Sequence, residues 1–139
     1  MEEAGKVLIM RSGSDYFGLD LRAVQEIIYQ PDITSLPQGS GFITGVCRWQ
    51  QKQIPVIDIG LYLGNLKASR SGCLVMVVIS GMEEGLLVEE VGSIVDLPLN
   101  KLISVDKNLD REQGKIFKAF EFKEKIVYIL DPQALIKHL

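Results

Sequence analysis

Reactive side chains are scarce in this chain of 139 residues. It has two cysteines, Cys47 and Cys73, and a single histidine, His138. The cysteines lack CxxC spacing and helper ligands, so no zinc site is expected. His138 stands second from the end, where chains fray, with no serine or cysteine near it in sequence. It reads as a solvent-facing cap rather than a general base. Gly39-Ser40-Gly41 lacks the Gly-Lys-Ser/Thr ending of a phosphate loop. The expectation is a protein with no catalytic residues, no metal and no cofactor.

Long apolar runs are also missing. Leaving cysteine aside, the longest is residues 74–79, six residues. A spanning helix needs ~20. Positive charge is not in excess: 15 Lys and Arg stand against 18 Asp and Glu, a formal net charge of −3. Such a chain offers no basic field to a phosphate backbone, which disfavours nucleic acid. Met1-Glu2-Glu3 is acidic where a secretory signal is basic and then apolar. A cytoplasmic protein without direct membrane insertion is expected, its two thiols reduced and buried.

What the chain has in plenty is β-branched residues: 15 Ile and 12 Val against 5 Ala. Their stiff side chains fit a pleated sheet better than a helix, so a mainly β fold is expected. The length suits one domain, or two small subdomains sharing a core.

A repeat supports the second option. Shifted by 67 residues, Lys6-Val7-Leu8-Ile9-Met10 falls on Cys73-Leu74-Val75-Met76-Val77. Gly18-Leu19 falls on Gly85-Leu86, Val24 on Val91, and Ile27 on Ile94. Further along, Val56-Ile57-Asp58 meets Ile129-Leu130-Asp131 once the shift grows by several residues. The reading is two similar β units, residues 5–66 and 70–139.

In the first unit, strands are expected at 7–10, 16–19, 25–29, 43–49 and 53–57, with one helical turn at 21–24. In the second they fall at 74–79, 86–88, 92–96, 117–122 and 126–130. Hairpin turns are expected at Gln50-Gln51-Lys52, at residues 80–85 and at Lys123-Glu124. Loops or links are placed at 37–41, 65–72 and 108–114. Five short strands per unit suggest a small closed barrel in each. Short helices should follow Asp58 and Asp131; the latter precedes Pro132, a well-motivated helix start. Their matching places in the repeat make the two aspartates caps rather than a catalytic carboxylate pair.

Binding surface is what remains. Glu26 lies on the strand expected at 25–29, next to Ile27-Ile28, and Arg48-Trp49 lies at a hairpin end. Trp49 suits either a packed anchor or a contact residue.

The ordered blocks then carry a resemblance. They are Tyr16-Phe17-Gly18-Leu19-Asp20, Val24-Gln25-Glu26-Ile27-Ile28, Ile33-Thr34-Ser35-Leu36-Pro37, Phe42-Ile43-Thr44-Gly45-Val46 and Ile54-Pro55-Val56-Ile57-Asp58. Gly85-Leu86-Leu87-Val88-Glu89-Glu90-Val91 and Ile129-Leu130-Asp131 follow. Their order and spacing resemble the CheW-like domain of bacterial chemotaxis over nearly the whole chain. The resemblance implies a single domain, 1–139, of two five-stranded SH3-like β-barrels sharing a core, with a short C-terminal helix. It implies a non-catalytic adaptor in two-component signal transduction, recruited to membrane receptor arrays. Its partners would be the cytoplasmic tip of a methyl-accepting chemoreceptor and the regulatory domain of a CheA-type histidine kinase.

By the same resemblance, Val24, Glu26 and Gly45 stand at receptor-binding positions in a groove between the barrels. Val91, the repeat partner of Val24, should line the opposite wall. Core packing is the other reading for Val24 and Val91, and close backbone approach for Gly45. The family has Asn-Leu-Arg-Gly where this chain has Arg48-Trp49-Gln50-Gln51. Gln50 therefore replaces the arginine expected to pair with Glu26, and Gln51 replaces the glycine. Arg48 shares a strand face with Gln50 and is the expected substitute partner for Glu26. The alternative function is a small barrel binding single-stranded nucleic acid or a small ligand, with Tyr16, Phe17 and Trp49 as stacking faces.

Overall fold

A computed structural model describes residues 5–36, 42–64, 72–105 and 114–137. The loops expected at 37–41, 65–72 and 108–114 lie wholly or largely outside these residues, as does His138.

The described residues form eleven strands: β1 (Lys6–Ser12), β2 (Asp15–Asp20), β3 (Val24–Ile28), β4 (Ile33–Ser35), β5 (Ile43–Trp49), β6 (Lys52–Asp58), β7 (Cys73–Ile79), β8 (Met82–Val88), β9 (Glu90–Asp96), β10 (Ile116–Phe122) and β11 (Lys125–Leu130). Two short helices, α1 (Ile59–Tyr62) and α2 (Pro132–Ile136), follow β6 and β11. Both begin as expected. Asp58 accepts from the Leu61 amide at 3.2 Å, and Asp131 from the Gln133 amide at 3.0 Å. Each carboxylate satisfies one amide that the helix start would leave unpaired.

The strands make two sheets, ordered β10-β11-β2-β1-β9 and β3-β7-β8-β6-β5-β4. The mainly β, two-barrel architecture is present, but the sequence boundary near residues 66–70 divides the repeat and not the sheets. The hairpin β1–β2 joins strands of the second unit, and β7–β8 joins strands of the first. The cause is local. Asp20 accepts from the Arg22 amide and caps a single 3₁₀ turn, Leu21–Ala23. This turn redirects the chain, so β3 leaves the β1–β2 hairpin and pairs with β7.

The registers repeat between the two halves. Ile9 faces Gly18 as Met76 faces Gly85. Gly18 lies beside Ile129 as Gly85 lies beside Val56, both in parallel pairs. Val24 faces Val77 as Val91 faces Met10.

Alternation then sorts the apolar side chains into three clusters. One fills the first barrel with Cys47, Trp49, Ile54, Val56, Leu74 and Met76. A second fills the other barrel with Val7, Ile9, Phe120, Val127 and Ile129. The third, with Leu8, Met10, Phe17, Leu19, Val75, Val77 and Leu86 among its members, is the layer where the two sheets meet. Residues on one face of β1 and β7 thus pack inside the barrels, and those on the other face pack between them.

Two strand expectations need correction. The second sheet has a sixth strand, β4, a three-residue piece between Pro31 and Pro37 that pairs with β5. The turn expected over residues 80–85 is only Ser80-Gly81, because β8 starts at Met82. Glu83 and Glu84 read as turn residues, yet Glu84 is fully buried. The tips Gln50-Gln51, Ser80-Gly81 and Lys123-Glu124 all have positive φ at both residues. That hand matches the twist of the flanking strands in a two-residue hairpin.

Candidate protein-interaction site

Val24 opens β3, half-buried against the layer between the barrels. Val91, on β9 in the other sheet, is half-buried against the same layer. The two valines therefore flank one shared cluster from opposite sheets.

Between Val24 and Glu26 the pairing with β7 slips: Val24 faces Val77, whereas Glu26 faces Met76. Gln25 is the extra residue of a bulge, and bulges re-aim side chains. Val77 belongs to the middle layer and Met76 to a barrel interior. The slip thus carries Glu26 to the barrel side. There its Oε1 accepts a hydrogen bond from the indole Nε1 of Trp49 at 2.9 Å. The Trp49 ring is buried, 8% exposed, among the interior residues of the first barrel. A buried indole N–H needs an acceptor, and Glu26 supplies it from the exposed strand.

Arg48 does not take the expected place. It is exposed, alternates with Trp49 along β5, and so projects from the opposite face. No cation among the described residues lies within ion-pair distance of Glu26, and Gln50 and Gln51 form the tip with φ of 50° and 66°. A hydrogen bond from an uncharged donor replaces the expected ion pair. The sequence signal was a tryptophan at the hairpin end, whose donor needs a partner.

Gly45 is buried four residues up β5 from Trp49, about 13 Å along the strand. A Cβ there would stand 2.4 Å from the Thr34 carbonyl oxygen of β4. Gly45 thus permits two backbones to approach, and it is not beside Glu26.

The stacking faces named for nucleic acid are not on offer. Phe17 is fully buried, Trp49 is nearly so, and Tyr16 is half-buried. The described residues contain no group of three His, Cys, Asp or Glu side chains placed to hold a metal. No described helix is long and apolar enough to cross a membrane. Cys47 and Cys73 are free and buried, and burial raises the Cys47 thiol above its ordinary pKa.

Two small barrels fused around a common layer, with half-buried apolar positions and an anchored carboxylate at the surface, make an interaction module. A model of the CheW-like domain matches residues 6–139, and the chain belongs to that family of scaffold proteins. It is 25% identical over 130 residues to Protein PilI of Pseudomonas aeruginosa, spanning 92% of this chain and 73% of that one. The crystal structure of the scaffolding protein TtCheW from Thermoanaerobacter tengcongensis superposes with a TM-score of 0.81 at 24% identity. That match covers 93% of this chain and 90% of TtCheW, and it shows the same fold.

Proposed function

We propose that this protein is a non-catalytic adaptor that couples a chemoreceptor to a CheA-type histidine kinase. The observation that carries the reading is the pair Val24 and Val91, equivalent in the repeat, placed on two sheets against one shared layer. A groove between the barrels with Val24 on one wall and Val91 on the other, and with Glu26 exposed two residues along β3 on the barrel side of that wall, suits an apolar helical receptor tip with polar flanks. Gly45 contributes by letting β4 lie close to β5.

Exposed apolar side chains outside the two valines support the kinase side of the role. Ile94, Leu99, Ile103, Phe117 and Ile126 are exposed on β9, β10, β11 and the segment after β9. Large apolar side chains left in solvent favour a protein partner. Recruitment from the cytoplasm to receptor arrays would follow from binding both partners.

Calorimetric titration with the cytoplasmic tip of a methyl-accepting receptor, and separately with a kinase regulatory domain from the same organism, tests the reading. Saturable binding to both is expected. Binding to neither, with tight salt-sensitive binding of single-stranded DNA, would return the protein to the nucleic-acid reading.

A further inference from the structure

We propose that Trp49 is a positioning residue that holds Glu26 as an uncompensated anion, and that the docked receptor segment presents an arginine or lysine to it. The inference rests on the adaptor reading and names the chemistry of its contact.

The indole nitrogen carries one hydrogen and no acceptor lone pair, and it does not titrate. Its bond to Glu26 Oε1 fixes one carboxylate oxygen and leaves the full negative charge in place. Among the described residues, the cations near the β5–β6 tip are otherwise engaged or turned away. Lys52, opposite Trp49 in the β5–β6 pairing, is 3.1 Å from Glu83, and Arg48 projects from the other face. The tip residues Gln50 and Gln51 are neutral.

An exposed glutamate ordinarily samples several rotamers, and a partner that grips it must order it. Here the ordering has happened on folding, because the buried indole ring anchors the donor. A pre-placed anion with one oxygen committed still has acceptor sites open on Oε2. These match the N–H donors of a guanidinium or an ammonium group. The bland reading is that Glu26 only satisfies the tryptophan. The two separate cleanly, since glutamine at this place keeps the acceptor and loses the charge.

Trp49 is the single tryptophan of the chain, so a ¹⁵N-labelled sample gives one indole N–H signal. That signal is followed while the cytoplasmic-tip fragment of a methyl-accepting receptor from the same organism is added, at several salt concentrations. The wild-type signal should shift and saturate. Glu26→Gln should fold normally, bind about fivefold more weakly or worse, and show a shallower salt dependence. Trp49→Phe, which has no indole signal and is read by calorimetric titration with the same tip fragment, should keep the salt dependence and lose about two- to fivefold through the unfixed carboxylate. Glu26→Arg should abolish binding, and reversal of one arginine or lysine of the tip to glutamate should restore it. Wild-type affinity and salt dependence in Glu26→Gln would overturn the inference while leaving the adaptor reading intact. Failure of the wild-type chain to bind the tip would remove the adaptor reading, and this inference with it.

Discussion

Phe17 and Glu84 occupy the same place in the two copies of the repeat. Each is the third residue of its strand, β2 or β8, and each is completely buried in the design of its sheet. Phe17 lies in the layer between the barrels, and the alternation of β8 sends Glu84 to the side of Leu86 and Val88, in that same layer. One copy thus has an aromatic ring where the other has a carboxyl group, and burial pushes the Glu84 pKa up to about 8.

This gives stability a direction with pH. The folded chain keeps the Glu84 proton to about pH 8, whereas the unfolded chain releases it near the ordinary value of 4.5. Within that window the unfolded state binds fewer protons, so stability falls as pH rises and levels off above it. Up to about 1.4 kcal/mol is lost per pH unit. Glu84→Gln should therefore melt close to wild type at pH 4.5 and clearly above it at pH 8. Parallel melting curves at both pH values would disprove the assignment.

The Gln50-Gln51 tip offers a gain. At Gln51 φ is 66°, a left-handed backbone that costs a residue with a Cβ roughly 1 kcal/mol relative to glycine. Gln51→Gly should raise the urea midpoint by an equivalent of about 0.5–1 kcal/mol without changing the slope. The substitution leaves the Trp49–Glu26 bond in place, so the indole signal should stay where it is.

Gly45→Ala acts in the opposite direction. The added Cβ meets a backbone carbonyl, which cannot rotate away as a side chain can. Stability should drop by about 1–3 kcal/mol, with β4 pushed from β5. Faster amide hydrogen exchange confined to residues 33–35 and their partners on β5 would show it. Unchanged stability with lost receptor binding would make Gly45 a contact residue instead.

Val24 and Glu26 should part company when substituted. Val24→Asp puts a charge against the layer between the barrels and should cost about 2–4 kcal/mol. Glu26→Lys removes the indole's acceptor and should cost about 1 kcal/mol, with the fold intact and receptor binding lost. Thermal melts together with a receptor-tip titration separate the two effects.

Much of this architecture was legible in the residues. The 67-residue shift marked equivalent positions that the registers then matched, and Asp58 and Asp131 were readable as caps because each precedes a short helix. Pairing between the copies was not legible. A repeat shows which residues are alike, not whether each hairpin packs within its own unit or across. β4 was hidden because three residues between two prolines carry little periodicity. Glu84 reads as turn because a glutamate in the middle of a buried strand breaks alternation. The partner of Glu26 is not legible either: alternation puts Arg48 on the face of Gln50, the position of the family's arginine, but the slip at Gln25 turns Glu26 toward the Trp49 indole on the opposite face of β5.

The most direct measurement of the central claim is kinase activity in a reconstituted mixture of receptor-containing membranes, a CheA-type kinase and this protein. Phosphorylation should rise when the protein is added and should answer to receptor ligand only in its presence. A kinase whose rate and ligand response stay the same with and without the protein, although both partners bind it, would contradict the account.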